Sequence, residues 1–142
     1  MTQMIHAPKP PPWHRRIRAT VALAVALSVR LLPENRGIAA RIRIARCARW
    51  LPAANPQRVQ SAYLAVVACQ PPWWRGEIDC KERALATVVA VALTGRRCRL
   101  VFGARTLPDA AHSWVATVDG TAIGADEDNG TDFPWTPVYT SP

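Results

Sequence analysis

Prolines set the limits of this chain's helices. Pro33, Pro52 and the pair Pro71–Pro72 interrupt its first half. Proline lacks the amide donor and its ring collides with the preceding turn, so no regular helix runs through such a point. Three helical stretches fit between these stops. Arg15 to Leu32 holds the apolar run Ala19–Val29, "ATVALAVALSV". A second opens at Asn35 or Arg36 with "GIAARIRIARCARW", where Ile38, Ile42, Ala45 and Arg49 share one face and Arg36, Arg43 and Arg46 lie towards another. A third is "NPQRVQSAYLAVVAC", with Asn55 as N-cap and Pro56 at the first helical position, where a missing N–H costs nothing. The run Ala19–Val29 is shorter than the roughly 20 residues a bilayer crossing needs, and it ends at Arg30. It has the length of a signal-peptide core, but no A-x-A cleavage pattern follows. No membrane span and a cytoplasmic location are the expectation. Residues 1–14, with "HAPKPPPW", read as an extended proline-rich arm.

The next stretch, "GEIDCKERALATVVA", starts a fourth helix. Asp79 and Glu82 have the D-x-x-E spacing of a capping box, which makes Cys80 the first helical residue. Ala84, Leu85, Val88, Val89 and Ala92 form an apolar stripe, and Gly95 ends it. Beyond Gly95 the period drops towards two. "RCRLVFGAR", Ala111–Val118 and Thr121–Ala125 read as strands, with Asp119-Gly120 as the hairpin signal. The tail from Asp126 is polar and reads as irregular. The fold class is therefore α+β: N-terminal helices, then a cysteine-bearing helix packed on a small antiparallel sheet. Residues 15–142 form one domain, with a basic helical part (15–72), a core (73–128) and a tail (129–142).

Charge divides the chain. Residues 1–76 carry twelve Lys/Arg and one acid, Glu34; residues 77–142 carry six Lys/Arg and nine acids. The basic half is either a solvated face or a surface for an anionic or protein partner. A sequence pI near 10.4 makes a non-enzymatic basic module, for nucleic acid or an acidic protein, the rival reading. No nucleic-acid motif is present and the tryptophans are not interleaved with the arginines, so nucleic acid is not the expected partner. Cys47, Cys69, Cys80 and Cys98 show no C-x-x-C and no short Cys/His spacing, so neither a metal nor another cofactor is expected.

Cys80 stands apart from the other three. A thiol in the first helical turn faces unpaired N–H groups and the positive end of the helix dipole, both of which favour the thiolate. Glu77, Asp79 and Glu82 oppose this and Lys81 partly offsets them. The base candidate is His112, the only histidine of the second half; His6 and His14 lie in or beside the arm. Its neighbours on the same strand face, Trp114, Ala116 and Val118, equally suit a packed core histidine. Asp119 would lie roughly 23 Å from His112 at about 3.3 Å per strand residue, too far to orient it. A two-residue turn pairs 118 with 121 and sets Glu127 across from His112; a three-residue loop pairs 118 with 122 and puts Asp126 and Asp128 on that face. The orienting acid is one of Asp126, Glu127 and Asp128. Trp73 and Trp74 read as packing residues, with the Trp74 indole N–H a candidate donor near the thiol.

These residues resemble a known family. "CKERALATVVAVAL" followed by "GRRCRLVFGARTLPDAAHSWVATVDGTAIG" is similar to the lasso peptide biosynthesis B proteins, in their stand-alone leader-peptidase form. The matching positions are Cys80, Arg83, Gly103, Arg105, Thr106, Pro108, Ala111, His112, Trp114, Val115, Asp119 and Gly120. Lys81, Ser113, Ala116 and Asp79 depart from the family's usual residues. The family is itself similar to transglutaminase-like and papain-like cysteine enzymes. The resemblance implies a Cys–His–Asp triad of Cys80, His112 and, first among the acids, Asp126. It implies removal of the leader from a ribosomal lasso precursor peptide. It also implies two partners, a separate precursor-recognition protein and an ATP-using macrolactam cyclase.

Overall fold

The computed structural model describes residues 9–71, 78–106, 109–125 and 135–142. Helix α1 spans Trp13–Arg30, α2 Glu34–Cys47, α3 Pro56–Ala68 and α4 Cys80–Ala92; a 3-10 turn, Ala48–Trp50, extends α2 towards Pro52. The prolines bound these elements as expected. Pro12 and Pro33 are the N-caps of α1 and α2. Trp13 and His14 belong to α1, not to an extended arm. At α3 the Asn55 side chain accepts the Arg58 N–H at 2.8 Å, and Pro56 follows it.

Helix α4 is the centre of the molecule. Its residues from Ala84 to Val88, with Ala90 and Val91, are buried all round. Leu85, Ala86 and Ala90 meet Ala22, Leu23 and Ala26 of α1 and Ala65 and Val66 of α3. Ala84, Val88 and Val91 meet Leu100, Val115 and Ile123 on the sheet side. Small residues predominate at the helix contacts, which lets the helices approach closely.

Arg41 corrects the reading of α2. The helix buries Gly37, Arg41 and Ala45, while Ile38 is 45% exposed. The Arg41 guanidinium reaches Glu82 Oε1 of α4 at 2.7 Å, with the side chains 8% and 2% exposed. Glu82 therefore makes no capping box, and the Asp79 side chain makes no cap hydrogen bond. Asp79 lies 3.8 Å from Arg30 at the surface instead. The helix still starts at Cys80.

The sheet has strand order β3-β2-β1-β4, with β1 Arg99–Thr106, β2 Asp109–Ala116, β3 Ala122–Ile123 and β4 Thr136–Thr140. All pairings are antiparallel, and β1 pairs β2 from Arg99↔Ala116 to Thr106↔Asp109. Two expectations change here. The hairpin pairs Val115↔Ile123 and Ala116↔Ala122, one residue off the register of the two-residue turn and two off that of the three-residue loop. Thr117 N donates to Thr121 O, the Thr117 hydroxyl accepts the Thr121 N–H and bonds Asp119, and the loop closes over Val118–Gly120, with Gly120 at φ +97. That hydroxyl also holds the Asp119 carboxyl below its usual range. The tail supplies β4 where an irregular segment was expected; as an edge strand it tolerates Pro137. No helix among the described residues is long and apolar enough to cross a membrane.

Candidate active site

Two elements bring the candidate residues together. The N-terminus of α4 carries Cys80, and the α4 face beyond it packs on the sheet. Strand β2 carries His112, paired with Gly103 of β1. The Cys80 thiol is hydrogen-bonded to the His112 imidazole and accepts the backbone N–H of Ser113. That N–H is available for a structural reason. Along β2, Thr117 N–H points to the β3 edge, and by alternation so does Ser113 N–H. Strand β3 ends at Ile123, opposite Val115, and leaves that edge open beside Ser113.

The balance on the thiol can now be signed. Burial raises its pKa. The hydrogen bonds from His112 and Ser113 and the positive charges of His112 and Lys81 outweigh that, so Cys80 lies below the ordinary thiol value of 9.0. Cys98 has burial alone and is pushed up to about 12. Cys47 is exposed and Cys69 half-buried.

His112 is fixed from three sides. Its Nε2 lies 2.9 Å from the Gly124 carbonyl oxygen. With Nε2–H donating there, Nδ1 holds the lone pair in the neutral ring. The ring stacks on Trp135 at 5.0 Å between centroids and on Trp114 at 5.9 Å. The Arg105 guanidinium covers Trp135 at 4.4 Å. Glycines make this packing possible. A Cβ on Gly103 would stand 2.3 Å from Trp114 Cη2, so only glycine lets that indole cross β1. Gly124 has φ +80, and a Cβ there would meet Tyr63 Cε2 at 3.0 Å.

A crevice of about 10 Å³ opens at Cys80, between Tyr63, Arg83, Ser113 and Gly124. Arg83 donates to Ile78 O at 3.0 Å and so braces the chain entering α4. The Tyr63 hydroxyl is buried and has no hydrogen-bond partner among the described residues. Among the described residues no three His, Cys, Asp or Glu side chains converge on a metal-sized site.

Of the candidate residues, Cys80 and His112 are brought into contact. Asp126, Glu127 and Asp128 lie outside the described residues, as do Trp73 and Trp74. Asp119 sits in the hairpin loop and bonds Thr117 rather than His112. Sequence reasoning missed Ser113 N–H, the Gly124 carbonyl and Trp135. The first two are backbone groups that no side-chain pattern encodes; a tryptophan ahead of a β-prone "TPVYT" run was the available signal for the third.

A thiol on a helix N-terminus, hydrogen-bonded to a strand histidine in an α+β fold, is an arrangement that can support nucleophilic cysteine chemistry. The family model of the transglutaminase-like superfamily matches residues 17–138, and the chain belongs to that superfamily, which includes cysteine peptidases and transferases. No curated protein and no solved structure matches the chain.

Proposed function

We propose that this protein is a cysteine peptidase that removes the leader from a lasso precursor peptide. The observation that carries the chemistry is the Cys80 thiol, hydrogen-bonded to His112 and Ser113 N–H and ionising below the usual thiol value. The substrate assignment rests on the resemblance to the lasso B proteins at the positions around Cys80, "GART" and "AHSW". A basic binding module would have no need of a thiol and an imidazole joined across α4 and β2.

In this reading His112 Nδ1 takes the thiol proton, and Cys80 Sγ attacks the carbonyl carbon at the leader–core junction. The oxyanion meets the Cys80 N–H, which has no intrahelical acceptor at the first helical position. Collapse breaks the C–N bond, and the imidazolium gives its proton to the departing core amine. Water, deprotonated by His112, then hydrolyses the thioester and returns the thiol. Gly124 O holds the imidazole in its tautomer, and Asp126 is the proposed acid, sharing the same Nε2–H and stabilising the imidazolium when it forms. Precursor recognition falls to a separate protein, and the freed amine passes to an ATP-using cyclase. No cofactor takes part.

The test is leader release from a lasso precursor, followed by mass spectrometry, with the purified protein and its recognition partner. Cys80→Ala and His112→Ala are expected to abolish cleavage. Full activity in Cys80→Ala would sink the proposal. Normal cleavage by Asp126→Asn together with loss in Asp128→Asn would move the acid to Asp128.

A further inference from the structure

The end of α4 remote from Cys80 carries a second feature. A cavity of about 390 Å³ lies between the N-terminal turns of α1 and α3 and the last turn of α4. Arg15 and Arg18 of α1 and Arg58 of α3 line it, with His14, and among the described residues no carboxylate does. Neither ion pair found among the described residues uses these arginines. Arg18 is half-buried, so its charge is held where water screens it less. The floor is apolar, made by Ala62, Ala65 and Ala90. We propose that this cavity binds an acidic peptide segment, whose carboxylates pair with Arg15, Arg18 and Arg58.

The chemistry separates this occupant from others. Three guanidiniums on two helices can each take a carboxylate in a forked pair, whereas a single small anion would engage only part of the cavity. Among the described residues no tryptophan, tyrosine or phenylalanine lines it, so a nucleobase finds no stacking surface there beyond His14. A recess between three helices suits a flexible chain better than the flat surface of a folded partner.

Together with the peptidase reading, on which this step rests, the site places its ligand on the substrate. Along α4, Ala90 stands about 15 Å from Cys80 at 1.5 Å per residue. An extended peptide at about 3.3 Å per residue covers that in no fewer than about five residues. The acidic segment therefore belongs to the precursor peptide, at least about five residues from the bond that is cut.

Binding is measured by fluorescence anisotropy on Cys80→Ala protein, so that cleavage does not enter. The probes are two labelled peptides of about ten residues, one with alternating Asp and Glu, the other with Asn and Gln in their place. The acidic peptide is expected to bind, more weakly as salt rises, and the amide peptide not to bind. Arg15→Glu with Arg18→Glu and Arg58→Glu should weaken binding by about tenfold or more. Arg43→Glu with Arg46→Glu, on exposed α2 positions, should leave it unchanged. If the triple variant loses its circular dichroism, Arg15→Gln with Arg58→Gln, both exposed positions, is expected to weaken binding several-fold. Equal binding of both peptides, indifference to the arginine changes, or displacement at lower concentration by a single-stranded oligonucleotide overturns the proposal. In the cleavage assay, replacing the precursor's acidic residues by amides should raise KM and leave kcat. If those acids prove irrelevant to KM while cleavage proceeds, the cavity's role falls and the peptidase stands. If the acidic peptide binds through the arginines but no precursor is cut, the cavity stands and the peptidase falls.

Discussion

Replacing Arg41 by methionine should destabilise this protein more than any surface change. Glu82 is 2% exposed, and its only ion pair among the described residues is with Arg41 at 2.7 Å. Methionine matches the arginine stem but removes the guanidinium, and the carboxylate is left buried without its charge partner. Breaking one half of such a pair costs about 3–5 kcal/mol. A chain of 142 residues unfolds with an entropy near 0.3 kcal/mol/K, at about 2.1 cal/mol/K per residue, so Tm should fall by about 10–17 °C. The pair is itself under-satisfied, since Glu82 Oε2 and Arg41 Nε have no partner among the described residues. Arg41→Met with Glu82→Leu removes both charges and both orphan atoms, and should recover most of the loss or exceed wild type. Urea and thermal unfolding followed by circular dichroism at pH 7 give all four corners of the cycle. The reasoning is refuted if the single variant loses less than about 1 kcal/mol, or if the double variant is no better than the single.

Other predictions concern the site. Alkylation of Cys80 by iodoacetamide, followed by peptide mapping, should show an apparent pKa below 9.0, since thiolate is present above the folded pKa and lost as pH falls through it. His112→Ala removes the largest lowering influence and should move that pKa up; an unchanged profile refutes the assigned hydrogen bond. Gly103→Ala forces Trp114 away from β1 and should cost about 1–3 kcal/mol while shifting the tryptophan emission and slowing Cys80 alkylation. Tyr63→Phe deletes a buried hydroxyl that has no partner among the described residues, so stability should hold or rise by up to about 1–3 kcal/mol, and a clear loss would show that the hydroxyl is bonded.

The legible parts of the fold are those encoded within one turn of chain. The Asn55–Pro56 start of α3 depends on local chemistry, and its Asn55 cap forms as expected; α4 starts at Cys80 as expected, but without the Asp79–Glu82 capping box on which that expectation rested. Glu82 shows where that stops. At N3 it has the spacing to cap its own helix, yet it turns to Arg41, forty-one residues earlier. A buried cation on α2 outcompetes a solvent-exposed cap, and nothing near Glu82 announces it. The hairpin register failed for a subtler reason. Thr117 bonds Asp119 and the Thr121 N–H, so a threonine hydroxyl closes the loop one pair sooner than the Asp-Gly signal suggests. Strand β4 carries a proline, and among the described residues it pairs only with β1, far back in the chain.

The site divides along the same line. Which residues could react was readable from type and spacing; what makes one thiol different from another was not. Burial acts on both Cys80 and Cys98, and in both it opposes ionisation. Cys98 has nothing else and is pushed up to about 12. Cys80 adds one imidazole and one backbone N–H, and the sign reverses. That N–H exists for the thiol only because β3 is two residues long. One further pair of strand residues would carry β3 along the β2 edge at Ser113, where the ladder would claim the donor. The short strand, which adds little to the sheet, is therefore what leaves β2 free to stabilise a thiolate. The packed-histidine reading and the proposed catalytic reading also fall on one residue. The same stacking by Trp114 and Trp135 that buries His112 holds its ring against Cys80, so the core reading and the catalytic reading require the same geometry.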